Sequence, residues 1–138
     1  VVAAQAWAEI DCRLLPNHDP EKALQSINKA LGDEGLMITP LLSFEPGISQ
    51  QDNVLYRAIE RKLANKFPSA TIVPRMAAGF TDSHFFREKG IPAYGFIPHI
   101  LDAEQAAGIH GDNEKISLEN LRFGSEFMRE LVAEICLD

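Results

Sequence analysis

From residue 4 to residue 14 the chain alternates almost without fault, with Ala4, Ala6, Ala8, Ile10, Cys12 and Leu14 on one side and Gln5, Trp7, Glu9, Asp11 and Arg13 on the other. A period of two predicts a half-buried strand. Pro16 and Asn17 break it. Asp19 then reads as a helix N-cap, with Pro20 at the first helical position and Glu21 in the first turn, where the helix dipole favours an acid. Ala23, Leu24, Ile27, Ala30 and Leu31 recur at helical spacing until Gly32 and Gly35 stop the pattern. Residues 36–44 form a second strand candidate, bent or placed at an edge by Pro40.

The turn Glu45-Pro46-Gly47 follows, and it reads as a possible domain boundary. Beyond it, residues 49–52 offer caps for a helix carrying Val54, Leu55, Ala58, Ile59 and Leu63. Short apolar runs at residues 71–73 and 91–96 are further strands bounded by proline and glycine. Between them Asp82 or Ser83 can cap a helix of two turns that ends at Gly90. Ser117 caps a last helix, whose Leu118, Leu121, Met128, Leu131, Val132 and Ile135 form one apolar stripe. Strands separated by helices predict an α/β arrangement with parallel pairing and ligands beyond the strand ends.

A chain of 138 residues with 46% hydrophobic and 24% charged residues has the composition of one ordinary folded unit. Its net charge of -7, with Lys and Arg spread along the chain, argues against nucleic acid. No apolar run approaches the roughly 20 residues of a membrane span. Cys12 and Cys136 fit no metal or redox spacing and read as reduced residues on apolar faces.

The chemistry-bearing residues crowd into the region most broken by glycine and proline. There lie Gly79-Phe80-Thr81-Asp82-Ser83-His84, then Gly90-Ile91-Pro92, then Ile109-His110-Gly111-Asp112-Asn113-Glu114. His110 sits in a glycine-rich acidic loop, where an imidazole can ligate metal with a carboxylate such as Asp112 or Glu114 orienting it, or can simply be solvated. His84 and His99, with Asp82, match no compact zinc spacing, and His84 reads as a packing or surface residue. Asp82 can equally serve as a cap. Arg13, one pleat from Asp11, is either half of an exposed ion pair or a guanidinium able to clamp a carboxylate through two parallel hydrogen bonds.

Three blocks together resemble the zinc-dependent exopeptidases and amidohydrolases that include aminoacylase, carboxypeptidase G, carboxypeptidase S and succinyl-diaminopimelate desuccinylase. They are Ala8-Glu9-Ile10-Asp11-Cys12-Arg13-Leu14-Leu15-Pro16, Gly79-Phe80-Thr81-Asp82-Ser83, and Gly90-Ile91-Pro92 through the His110 loop. Val1-Val2 resembles the family's hydrophobic pair, with Ala3 where proline is usual. The resemblance implies an α/β fold in which residues 1–44 are the second half of a lid and dimerisation α+β sandwich. Residues 45–138 would then be the closing, carboxy-terminal portion of a zinc-peptidase catalytic domain.

By the same resemblance His110 is a zinc ligand, Arg13 binds a substrate carboxylate and Thr81 belongs to the substrate-binding loop. The other ligands of a two-zinc site, the general base and a lid histidine are expected outside this sequence. The chain alone is therefore expected to be inactive, to need the upstream half of its parent, and to homo-oligomerise. Its parent is expected to be a cytoplasmic hydrolase cleaving an amide in small N-acyl amino acid or dipeptide-like substrates. A non-catalytic dimerisation or interaction module built on the same fold is the competing expectation.

Overall fold

The computed structural model describes residues 2–32, 35–77 and 79–137, so Val1 of the Val1-Val2 pair lies outside the described residues. Five helices follow in order: α1 (Pro20–Leu31), α2 (Val54–Lys66), α3 (Ser83–Glu88), α4 (Ala103–Ala107) and α5 (Leu118–Cys136).

Local chemistry sets their ends. The Asp19 side chain accepts from the backbone N–H groups of Glu21 and Lys22 at 2.8 and 3.4 Å, and Gly32 takes a φ of +73° just past the last turn. Ser117 accepts from Asn120 N at 3.1 Å to open α5. The cap of α2 differs from the expectation. Asn53 closes it by accepting from Tyr56 N at 3.0 Å, while Ser49 is engaged elsewhere, on both backbone groups of Ala93. Asp82 precedes α3 in helical backbone geometry and makes no side-chain cap, so its capping role is not realised. Helix α4 was not expected, although Asp102, whose side chain accepts from Gln105 N at 2.8 Å, and Gly108 bracket it as cap and stop.

One helix pair holds the core. Ala58 and Ile59 of α2 meet Phe127 and Leu131 of α5, flanked by half-buried Leu55, Leu63, Tyr94, Phe96, Phe123 and Ile135. Phe127 is 1% exposed, and its ring centroid lies 5.5 Å from Phe96 and 5.9 Å from Phe123. The inward face of α5 therefore runs through Phe123, Phe127, Leu131 and Ile135 at steps of four. Leu118, Leu121, Met128 and Val132, expected on the same stripe, remain exposed. A 19-residue helix with apolar residues on two adjoining faces has one of them covered here.

Backbone approach fixes the segment before α4. Asn120, 6% exposed, accepts from Ile100 N at 2.9 Å and donates to Ile100 O at 2.8 Å, as a neighbouring strand would. Four residues along α5, a Cβ on Gly124 would stand 3.1 Å from the Pro98 carbonyl oxygen, so glycine is what lets α5 lie against that segment.

The expected sheet does not form among the described residues. Residues 4–14, 36–44, 71–73 and 91–96 run as single unpaired segments. A strand differs from a helix in needing another strand for its backbone hydrogen bonds, and these four have none beside them. Among the described residues the architecture is helical, and the expected α/β sandwich is not confirmed by it. The molecule accordingly exposes 11,820 Å². A folded monomer of 15.3 kDa exposes about 7,100 Å² by the usual scaling of area with mass. Cys12 and Cys136 are free, as expected, but both are exposed where apolar burial was expected, for the same reason. No helix among the described residues is long and apolar enough to cross a membrane.

Candidate functional site

Three residues were expected to carry function, and the structure holds them on three separate segments. Arg13 reaches Asp11, Nη2 to Oδ2 at 2.5 Å, with side chains 50% and 70% exposed. The pair is the exposed one foreseen from their spacing, and pairs of this kind contribute about 0–1 kcal/mol. Thr81 is exposed immediately before α3, where its carbonyl accepts from His84 N at 3.1 Å.

His110 follows the short helix α4 with a φ of +64°, a left-handed geometry that a non-glycine residue adopts at some cost. Hydrogen bonds from Gly111 N to Gly108 O at 2.9 Å and from Glu114 N to Gly111 O at 3.2 Å wind the loop tightly. Glycine at 111 relieves a tight approach within it, since a Cβ there would lie 3.1 Å from the Gly108 oxygen. Glu114 accepts from the His110 backbone N–H at 3.3 Å, so this carboxylate steadies the loop backbone. Lys115 and Glu104 close the base of the loop at 2.7 Å, beside a cavity of about 140 Å³ lined also by Gln105, Gly108 and Asn113. The His110 side chain is left exposed.

Zinc needs three or four protein donors. Among the described residues no three of His, Cys, Asp and Glu come together. His110 thus offers one accessible imidazole, and the described residues do not by themselves make up a zinc site. His84 and His99 do not join it. His84 is instead 4% exposed, packed among Phe44, Phe80 and Phe85 with ring centroids 4.8, 5.4 and 5.2 Å away. The packing alternative for His84 is therefore the one realised.

No sequence pattern singled out Arg87, Ser49 and Tyr94, which tie α3 and residues 47–53 to residues 93–94. Arg87 donates from Nη1 to the Ala93 carbonyl at 3.0 Å and lies over Gly47, where a Cβ would meet its Nε at 3.1 Å. Ser49 Oγ accepts from Ala93 N at 2.9 Å and donates to Ala93 O at 3.0 Å. The Tyr94 hydroxyl bonds Gln50 O and Asn53. A cation in the last turn of a short helix has an obvious dipole role. No local pattern distinguishes that role from a long-range tie.

The family model described as Peptidase family M20/M25/M40 matches residues 19–134, and the chain belongs to that family. It is 29% identical over 136 residues to the mouse N-fatty-acyl-amino acid synthase/hydrolase PM20D1, covering 96% of this chain and 27% of that protein. The Xenopus tropicalis protein of the same name is 30% identical over 134 residues, covering 96% and 26%. A probable carboxypeptidase S-like 2 of Dictyostelium discoideum is 19% identical over 134 residues, covering 96% and 26%. The chain thus spans about a quarter of the length of these relatives. No solved structure matches it.

Proposed function

We propose that these 138 residues are the carboxy-terminal portion of a longer zinc-dependent M20 hydrolase that cleaves an amide bond in small N-acyl amino acid or dipeptide-like substrates. The observation that carries this reading is the family match over residues 19–134, and the excess exposed area supports it. The names of the relatives, one group acting on N-fatty-acyl amino acids and one carboxypeptidase S-like, agree with an acylated or peptidic substrate bearing a free carboxylate.

In this reading residues 1–44 complete a lid and dimerisation sandwich, and residues 45–138 complete a catalytic α/β domain. The four unpaired segments then gain strand partners from the rest of the protein or from a second copy. Arg13 releases Asp11 and clamps the substrate carboxylate. The exchange costs little because the exposed pair is weak and the new hydrogen bonds are charge-assisted and bidentate. Thr81 shapes the binding loop. His110 supplies one zinc ligand from its rigid turn, and the longer protein supplies the other donors and the general base. This chain alone is inactive.

Zinc content and amidase activity, measured on this chain alone and mixed with the remainder of the hydrolase, test the proposal. Zinc and activity are expected only in the mixture and lost in His110→Ala. Arg13→Ala is expected to lower kcat/KM by about 2–5 kcal/mol, the range for removing one partner of a buried charged hydrogen bond. Stoichiometric zinc on the isolated chain, or undiminished activity in His110→Ala, would overturn the assignment.

A further inference from the structure

Helix α3 is gripped from two sides by the turn at Glu45-Pro46-Gly47. Ahead of the turn, Phe44 stacks on Phe80 with centroids 4.6 Å apart and meets His84 and Phe85 at 4.8 and 6.1 Å. Within it, Gly47 lies under Arg87, which is also bonded to Ala93. The segment carrying Thr81 leads directly into α3 and is tied to it by the bond from His84 N to Thr81 O. Contacts thus run continuously from the turn to α3 and from α3 to Thr81.

A second observation falls on the same two side chains. Among the described residues, the buried side-chain nitrogen or oxygen atoms without a hydrogen-bond partner are His84 Nε2 and Arg87 Nε. His84 Nε2 is 3.1 Å from Glu88 Oε1, but off the direction that a hydrogen bond needs. Buried polar atoms are normally satisfied, so each exception calls for a partner or a structural reason. Both exceptions sit where α3 meets the turn.

We infer that α3 couples the hinge at residues 45–47 to the substrate loop, with His84 and Arg87 as positioning residues that set Thr81 according to the posture of residues 1–44. The inference rests on Thr81 being a substrate-loop residue and on the turn being the boundary between lid and catalytic portions. It assigns to two residues with no direct part in chemistry the work of carrying lid position to the binding loop.

The test perturbs one end and reads the other. Gly47→Ala places a methyl group against Arg87 Nε, and amide hydrogen exchange is followed residue by residue. Exchange at His84, Phe85 and Ala93 is expected to quicken about tenfold, as in local opening of a cooperative unit. Arg87→Met reproduces this and Arg87→Lys, which keeps a donor for the Ala93 carbonyl, partly reverses it. His84→Ala removes the ring packed on Phe44 and is expected to quicken exchange at the same amides, whereas His84→Phe restores the aromatic packing and with it the protection. Gly47→Ala quickening exchange only at residues 45–50 would overturn the coupling.

In the complete hydrolase, Arg87→Met raises KM more than it lowers kcat, and adds nothing to Thr81→Ala, because both act through one loop. Additive effects would overturn the inference. A Thr81→Ala variant with unchanged KM would instead reject the substrate-loop reading while leaving the exchange result intact.

Discussion

Residues 2–44 and residues 45–137 are comparable in their content of apolar side chains, yet among the described residues every buried one belongs to the second region. Helix α1 has a well-formed cap, a proline at its first position, Glu21 in its first turn and Lys29 in its last, and it buries nothing. Helix α2 has a similar length and fully buries Ala58, because α5 lies against it. The difference teaches that local signals decide where a helix starts and stops, whereas burial is decided by what stands opposite. An isolated helix of fewer than about 12–15 residues is marginal in water, so the 12 residues of α1 depend on a face that another element would cover.

The comparison can be broken first at its strong side. Phe127→Ala removes the largest fully buried side chain among the described residues, which projects from α5 against α2 and Phe96. Such truncations cost about 3–5 kcal/mol. Denaturant unfolding followed at the α2–α5 core is expected to shift by that amount, while the helical signal of α1, followed by residue-resolved NMR, stays unchanged. A matching loss in α1 would show that the two regions fold as one unit and that their contrast in burial is superficial.

Asp19→Ala sharpens the same contrast from the weak side. Losing the two cap bonds to Glu21 N and Lys22 N is expected to destabilise α1 by about 1 kcal/mol, read as reduced helical chemical shifts over Pro20–Leu31. For a helix near the margin this is a large part of its stability. The α2–α5 transition should not move.

These expectations also mark how far the sequence could be read. Asp19 and Ser117 were legible as caps because a cap bond spans two or three residues and depends on little else. The strand at residues 4–14 was legible as a pattern, but pairing is a property of two segments and the second is not beside it. Helix α5 carried two apolar faces whose residues overlap in any single stripe, so Phe127 went unnoticed beside Leu118 and Leu121. Asn120 and Arg87 escaped for a related reason. Each satisfies a backbone group in a distant or oppositely running segment, a partnership that residue type alone does not announce. His110 was singled out by resemblance, but neither its left-handed turn nor its exposed ring could be read from the residues around it.

The smallest expected effect concerns the polar seam joining α2 to α5, which residues 2–44 have no counterpart to. Arg61 Nη2 lies 2.6 Å and Lys62 Nζ 3.2 Å from the Glu134 carboxylate, and Lys62 also lies 3.6 Å from Glu130. The hydrogen bond from Arg61, then that from Lys62, holds the Glu134 carboxyl below the ordinary glutamate value of 4.5. An acid whose pKa is lowered by folding binds fewer protons in the folded state, so it contributes stability that is fully present above the unfolded value. That contribution declines as pH falls through the lower folded value and is gone once both states are protonated. Wild type and Glu134→Gln should therefore differ most in unfolding midpoint at neutral pH and converge in acid, once the pH is below the lowered folded value. Because the seam is open to solvent, roughly molar salt should shrink the neutral-pH difference. A difference that persisted in acid would mean that Glu134 acts through packing on α2 and not through its charge.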